Sequence, residues 1–321
     1  MKGYCPKVLN ETPGDSFIFR SLSILGNVLL YNRQRLQAFF SYIFRQSFMV
    51  FVVLLIMCTG VHCLVAQTCI VIRRTPSEVV VGADSKIVTI TFSTDSDGKE
   101  KQIRTAGTKC KIRQAGNTFF AISGVDIPDM DNLADASCKG GRNYIEKAAR
   151  FKALITEPLS VALEWSRLLN PDFYQKKFMR ENACLQIVFF GIEDGFPAYR
   201  VINFLAINPL SEPVHITQRE GMSCPGALPA TKSVTSVIGH NAAIRALNLT
   251  EDFWKGLDTI AGIRKLISIE SNAMSEEVGG EIDIIRVTRH GARWVQKKTE
   301  CPDIQNTIND KPNSLSKKKR R

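Results

Sequence analysis

Two β-branched runs, separated by a four-residue break, limit the fold most strongly. The first is Thr68-Cys69-Ile70-Val71-Ile72-Arg73, the second Glu78-Val79-Val80-Val81-Gly82-Ala83, with Arg74-Thr75-Pro76-Ser77 between them. Such runs favour strands, and the break has turn chemistry. Residues 86–93 continue as an alternating, half-exposed strand. Residues 94–101 read as a polar hairpin or loop around Asp97-Gly98, and residues 109–114 and 118–122 as short strands about the turn Ala115-Gly116-Asn117.

The period then changes. Residues 126–141 form an acidic connection punctuated by Pro and Gly. Tyr144, Ile145, Ala148, Ala149, Phe151, Leu154 and Ile155 follow at helical spacing, and Pro158 suits the first turn of a second helix. Residues 185–193 and 198–206 return to strands joined by Asp194-Gly195-Phe196-Pro197, residues 221–230 form a loop, and residues 234–238 are strand-like. Residues 242–247 and 251–274 read as helices, and residues 281–288 and 292–296 as a closing hairpin around Arg289-His290-Gly291. Strands, two helices, strands, two helices, strands is an α+β order. Two stacked sheets with helix pairs outside, a four-layer α/β/β/α sandwich, bury all of these faces.

The charge distribution makes the high pI weak evidence for nucleic-acid binding. The net charge is +11, but residues 317–321, all Lys or Arg, supply five of those charges and residues 1–67 another four. The body is close to neutral, so no specific nucleic-acid partner is expected, though a binder of nucleic acid or an acidic membrane through Lys317–Arg321 stays a rival reading. Residues 298–321 read as a basic, disordered tail.

Residues 47–66 hold no Asp, Glu, Lys or Arg. As a signal peptide, this stretch has an apolar core in the expected range of about 7–15 residues; as an anchor it reaches the roughly 20 residues that span a bilayer. Basic residues precede it, so both readings send the body out of the cytoplasm, periplasmic, secreted or held at the membrane through residues 47–66. The expected organisation is a leader over residues 1–67, a body over 68–297 and the tail. Nine cysteines are present, six of them after Thr68. They permit disulfides in an exported body without assigning them. No C-x-x-C pair occurs and the four histidines are scattered, so neither metal nor organic cofactor is implied.

The body resembles the proteasome β-subunit family, including its bacterial ring-forming relatives, within the N-terminal nucleophile hydrolases. The likeness runs from Thr68 to about Val295, in Thr68-Cys69-Ile70-Val71, Gly82-Ala83-Asp84-Ser85, Lys111-Ile112, Phe120-Ala121-Ile122-Ser123-Gly124 and Val278-Gly279-Gly280-Glu281-Ile282-Asp283, with Gly291 beyond. It implies a threonine peptidase or amide hydrolase acting on a peptide or amide substrate. Thr68 would be the nucleophile, freed by removal of the preceding segment. A threonine hydroxyl needs a base, and a first-residue threonine carries its own α-amine, whose reference pKa of about 7.7–8.0 suits the task. Asp84 and Lys111 match the family's tuning residues, with Asp84 expected to hold Lys111 by a charge-assisted hydrogen bond. Lys109, two residues away, is the alternative register. Gly124 matches the oxyanion glycine, and Ile122 suggests an apolar specificity pocket. A homo-oligomeric ring follows from the resemblance alone.

Departures from the family keep other readings open. His240 stands where the family has a serine in a Gly-Ser-Gly turn, and Ser275 and Val278 replace an aspartate and a serine. Gln67 replaces the glycine usual before the threonine. A fold that has kept its shape as an inactive scaffold or binding protein fits these changes. Cys69, if cleavage fell one residue later, would make an amidase.

Overall fold

The computed structural model describes the backbone of residues 62–66, and residues 68–94, 100–178, 183–207, 214–220, 232–247 and 249–304. The chain divides into units Met1–Val61 and His62–Arg321, and all described residues belong to the second. The apolar residues 47–61, the loop 221–230 and the tail beyond 304 lie outside the described residues. Among the described residues no helix is long and apolar enough to cross a membrane.

Strands β1 (His62–Ala66), β2 (Cys69–Arg74), β3 (Glu78–Asp84), β4 (Lys86–Thr94), β5 (Glu100–Thr108), β6 (Ile112–Ala115) and β7 (Thr118–Val125) come first. Helices α1 (Met130–Gly140), α2 (Tyr144–Leu169) and α3 (Pro171–Phe178) follow. Strands return as β8 (Leu185–Glu193), β9 (Phe196–Ile207), β10 (His215–Glu220) and β11 (Val234–Gly239). Helices α4 (Ala242–Ala246), α5 (Glu251–Trp254) and α6 (Thr259–Ala273) precede β12 (Ile282–Thr288) and β13 (Gly291–Gln296). The fold is α+β. One antiparallel sheet runs β10-β9-β8-β7-β1-β4-β5, with β6 also on β7; the other runs β11-β2-β3-β12-β13.

Successive side chains of a strand point to opposite faces, and β2 uses both. Ile70 and Ile72 pack with Phe119, Val188 and Phe190 of the larger sheet. Cys69 and Val71 pack with Ile263, Leu266 and Ile267 of α6. One strand therefore serves two cores, and each fully buried Ile or Val contributes roughly 1.5–3 kcal/mol. A third core sets Phe120, Phe189 and Phe204 of the larger sheet against Phe151, Ile155, Leu159 and Leu163 of α2.

Several elements differ from the sequence expectation. The helix expected to begin at Pro158 is the continuation of α2, with Pro158 inside it. An internal proline removes one backbone hydrogen bond; the buried row Ile155, Leu159 and Leu163 passes it unbroken and offsets the loss. The connection over residues 126–141 contains α1, whose buried set is Met130, Ala134, Ser137 and Cys138, too small and polar to read as an apolar stripe. The helix expected over residues 251–274 is split into α5 and α6, where the Asp258 side chain caps α6 by accepting from Ala261 N at 2.8 Å. The polar stretch after Asp97-Gly98 leads into β5, an edge strand whose residues 103–106 are all exposed, so it carries no apolar alternation. The residues after Gln296 lie on the body as far as Ile304; Lys298 and Cys301 are buried, and Cys301 forms a disulfide with Cys110.

Candidate active site

Strand β7 carries two partners end to end on one edge. β6 pairs with it from Ile112↔Ala121 to Ala115↔Thr118, and β1 pairs with it at Val65↔Val125 and Ala66↔Gly124. β8 takes the opposite edge over its whole length. The two ladders leave a gap beside Ile122 and Ser123. Lys111 directly precedes β6 and Thr68 closely follows β1, so the chain delivers both residues to that gap.

They meet there. Lys111 Nζ donates to Thr68 Oγ1 at 2.5 Å, with Thr68 fully buried and Lys111 nearly so. Asp84 ends β3 and is also fully buried. Its Oδ1 accepts from Cys69 N and its Oδ2 from Gly279 N, each at 2.9 Å. The carbonyl of Gly279 in turn accepts from Ser85 N and Lys86 N. Asp84 thus ties the start of β2 to the Gly279-Gly280 turn. The hydrogen bond expected from Lys111 to Asp84 is instead spent on Thr68. Asp84 acts on Lys111 through charge, while its oxygens are occupied by backbone N–H groups.

Burial shapes the proton chemistry. It pushes the Asp84 carboxyl up to about 6, against the pull of the Gly279 N–H, the Lys111 charge and the Cys69 N–H. It pushes Lys111 down to about 8, against the Asp84 charge and helped by the positive charges of Lys109 and Lys298. A lysine near 8 exchanges its proton at moderate pH, as a general base requires.

The segment carrying Lys111 is anchored on both sides. Lys109 N donates to Ser85 O at 2.9 Å, Lys298 Nζ donates to Lys109 O at 3.0 Å, and Cys110 is held by its disulfide to Cys301. Lys109 itself turns to Asp131, at 3.1 Å, and Asp126. The register therefore brings Lys111 to Thr68 and leaves Lys109 outside the site.

On its other flank, the Thr68 carbonyl accepts from His240 N at 2.9 Å and from Ser123 Oγ at 3.2 Å. Gly239 makes this approach possible. Its φ is +78°, and a Cβ there would stand 1.7 Å from the Thr68 carbonyl oxygen. Gly124 is comparably constrained, with φ +125° and a Cβ position 2.4 Å from the Cys184 carbonyl oxygen. His240 Nε2 lies 2.6 Å from Glu277 Oε2, and Lys177 Nζ is 3.9 Å from the same oxygen. Burial raises the Glu277 pKa, but the His240 hydrogen bond and the charges of Lys177, His240 and Arg104 outweigh it and hold the group low.

Glu277 and Ser123 were not singled out in the sequence. The readable signal for Glu277 was a Glu276-Glu277 pair ahead of Gly279-Gly280, opposite an unusual His240. Ser275 contributes its carbonyl to Lys86 Nζ, and Val278 is fully buried in the α6 core. Ile122 is buried in the core cluster with residues of α1 and α2. Cys69 is fully buried; burial first, then the charges of Asp84 and Glu270, raise its thiol pKa well above the usual value. Among the described residues the one group with metal-ligand character is Cys110, Asp283 and Cys301, and its two sulfurs are joined in the disulfide. No protein-family model and no curated protein matches the chain.

Proposed function

We propose that this chain is the precursor of an N-terminal-threonine peptidase or amide hydrolase, with the helix–sheet–sheet–helix layering of N-terminal nucleophile hydrolases and a site of proteasome β-subunit type. One observation carries the reading: Lys111 Nζ stands 2.5 Å from Thr68 Oγ1 in a buried gap. A threonine hydroxyl held by a lysine of lowered pKa has the base that it needs.

The position of β1 supports the reading. The backbone just ahead of Thr68 lies as a strand between β4 and β7. Extended peptides bind by pairing with strands, and on this reading β1, held between β4 and β7, lies where the acyl part of a substrate would bind. In the activating step, Thr68 Oγ1 attacks the carbonyl carbon of residue 67 while its proton passes to the Lys111 amine. The Gly124 backbone N–H stabilises the oxyanion. The C–N bond breaks, the Thr68 nitrogen takes the proton, and an ester links residue 67 to Oγ1. Water hydrolyses that ester, restoring the hydroxyl and leaving Thr68 with a free α-amine. The same hydroxyl then acts on substrate, with the amine and Lys111 sharing the proton.

Thr68 rather than Cys69 is the proposed nucleophile, because Lys111 Nζ reaches Thr68 Oγ1 while the Cys69 side chain packs in the α6 core and its thiol resists ionisation. The Cys110–Cys301 disulfide favours a body acting outside the cytoplasm. Leu154, Val161, Trp165 and Leu168 form an exposed apolar stripe on α2, a surface suited to ring or other self-assembly. The rival reading, a fold kept without chemistry, draws on the buried Val278. N-terminal sequencing of the mature protein decides between them. The expected mature chain begins at Thr68, and the Thr68→Ala protein retains its leader. A natural protein that still carries residue 67, and hydrolyses no peptide, would sink the peptidase reading.

A further inference from the structure

Beyond Gly124, on the side of β7 away from β1, the structure has a cavity of about 570 Å³. Ser123, Gly239 and His240, the groups in contact with the Thr68 carbonyl, form one wall. Lys176 and Lys177 from α3, Arg219 from β10 and Arg245 from α4 form the rest of its charged surface, and no Asp or Glu is among the described lining residues. Lys177 leans toward Glu277, behind the wall. Lys176, Arg219 and Arg245 are exposed and make no ion pair among the described residues.

The location matters as much as the charge. β1, the leader strand, fills the space between β7 and β4. The cavity lies across the end of β7 from it, at Gln186 of β8 and Asn203 of β9. If the leader marks the acyl half of a bound peptide, the cavity receives the half that departs as an amine. A concave site walled by Lys and Arg, with neutral amides at its floor, suits an anion, because Arg and Lys donors strengthen markedly on carboxylate or phosphate oxygens.

We infer that the cavity is a specificity site for an acidic side chain, Asp, Glu or a phosphorylated residue, on the leaving side of the scissile bond. The inference rests on the proposed peptidase reading for its place in the reaction, but the binding itself does not. Arg219 and Arg245 are the specificity residues, and Lys176 and Lys177 set the field around them.

The test uses the full chain as the Thr68→Ala variant, in which β1 stays in its groove and the cavity lies apart from it. A short fluorescent Glu-rich peptide, its Gln counterpart, a phosphoserine version and inorganic phosphate are titrated by polarisation or competition. The expected result is that the Glu peptide binds at least about tenfold more tightly than the Gln peptide, and that Arg219→Glu with Arg245→Glu abolishes the difference while far-UV circular dichroism is unchanged. Equal affinity for the Glu and Gln peptides would overturn the inference. So would inorganic phosphate that competes as well as the peptides, since the site would then serve a free anion. The phosphoserine arm tells a carboxylate from a phosphate side chain as the preferred group. Selective binding by a protein that cleaves no peptide fails the peptidase reading and leaves the site standing. Cleavage by the wild type without acidic preference, together with equal binding, fails the site alone.

Discussion

The two flanks of Thr68 are built on different principles. On the Asp84–Lys111 flank every group is buried, and its freedom is taken up by the backbone: two N–H groups on Asp84, and a disulfide and two hydrogen bonds on the segment that carries Lys111. On the Gly239–His240 flank the backbone is equally tight at Gly239, but the side chains His240 and Glu277 pair while partly exposed, at 22% and 20%. Burial makes electrostatics strong and alters pKa values; exposure leaves an ion pair worth little. The first flank is therefore where chemistry is to be expected, and the second is where tolerance to change is to be expected.

The largest effect belongs to Lys111. Lys111→Met keeps the stem and removes the proposed base, and on the proposed peptidase reading the loss in the rate of leader removal and of peptide cleavage should be roughly 10²–10⁴-fold. The folded protein should be no less stable, because a buried ammonium is lost. The pH dependence sharpens this. Unfolded Lys111 has the ordinary value of 10.5 and folded Lys111 about 8, so the unfolded chain binds the proton more tightly. Stability then rises with pH between about 8 and 10.5. Asp84 works in a lower window, from its ordinary 3.8 to about 6. There the folded state holds the proton more tightly, so stability falls as pH rises. Thermal melts of the wild type across both windows should show a fall and then a rise, and Lys111→Met should lose the upper rise. The cleavage rate should climb through about pH 8. A rate that ignores pH in that range would remove Lys111 as the base.

These residues were singled out in the sequence through the family resemblance, and the fold brings them together locally. Thr68 and Asp84 sit on the two arms of one hairpin, and the pairing Ile70↔Ala83 fixes their approach whatever the rest of the chain does. Lys111 was legible only to within its neighbour Lys109, since register is decided where β6 meets β7, not in β6 itself. Glu277 was hidden because it reaches His240 from a turn beyond α6, and no period in the sequence connects them. β1 was hidden for a different reason. Its residues belong to an uncharged stretch that reads as leader, and the strand exists through its partners β4 and β7. α1 buries a set as small as Ala134 and Ser137, below the contrast that a period needs.

The disulfide should rank next. Cys301→Ser opens a loop that closes residues 191 apart in sequence, and the expected cost is about 2–4 kcal/mol. Because Cys110 adjoins Lys111, the rate per folded molecule should also fall, but by less than in Lys111→Met. Urea unfolding monitored by fluorescence gives the first quantity, and leader-cleavage rates at a temperature where the variant is folded give the second. A variant as active as wild type would show that Lys298 and Ser85 suffice to hold the segment.

The smallest effect is expected on the partly exposed flank. Glu277→Gln keeps the shape of the side chain and removes its charge, leaving His240 N on the Thr68 carbonyl, since that contact is made by backbone. The pair is partly exposed, so the stability change should be small, roughly 1 kcal/mol, and the cleavage rate should change less than about tenfold. The sign with pH is fixed. Glu277 has its pKa held low in the folded protein by His240, Lys177 and Arg104 against the opposing effect of burial. Its contribution is present above the unfolded value of 4.5 and is lost as pH falls through the folded one. Wild type and Glu277→Gln melts should therefore converge under acid and separate slightly near neutrality. If Glu277→Gln instead matched Lys111→Met in lost rate, the two flanks would not differ as their burial implies. His240 would then have to carry a proton in the proposed reaction.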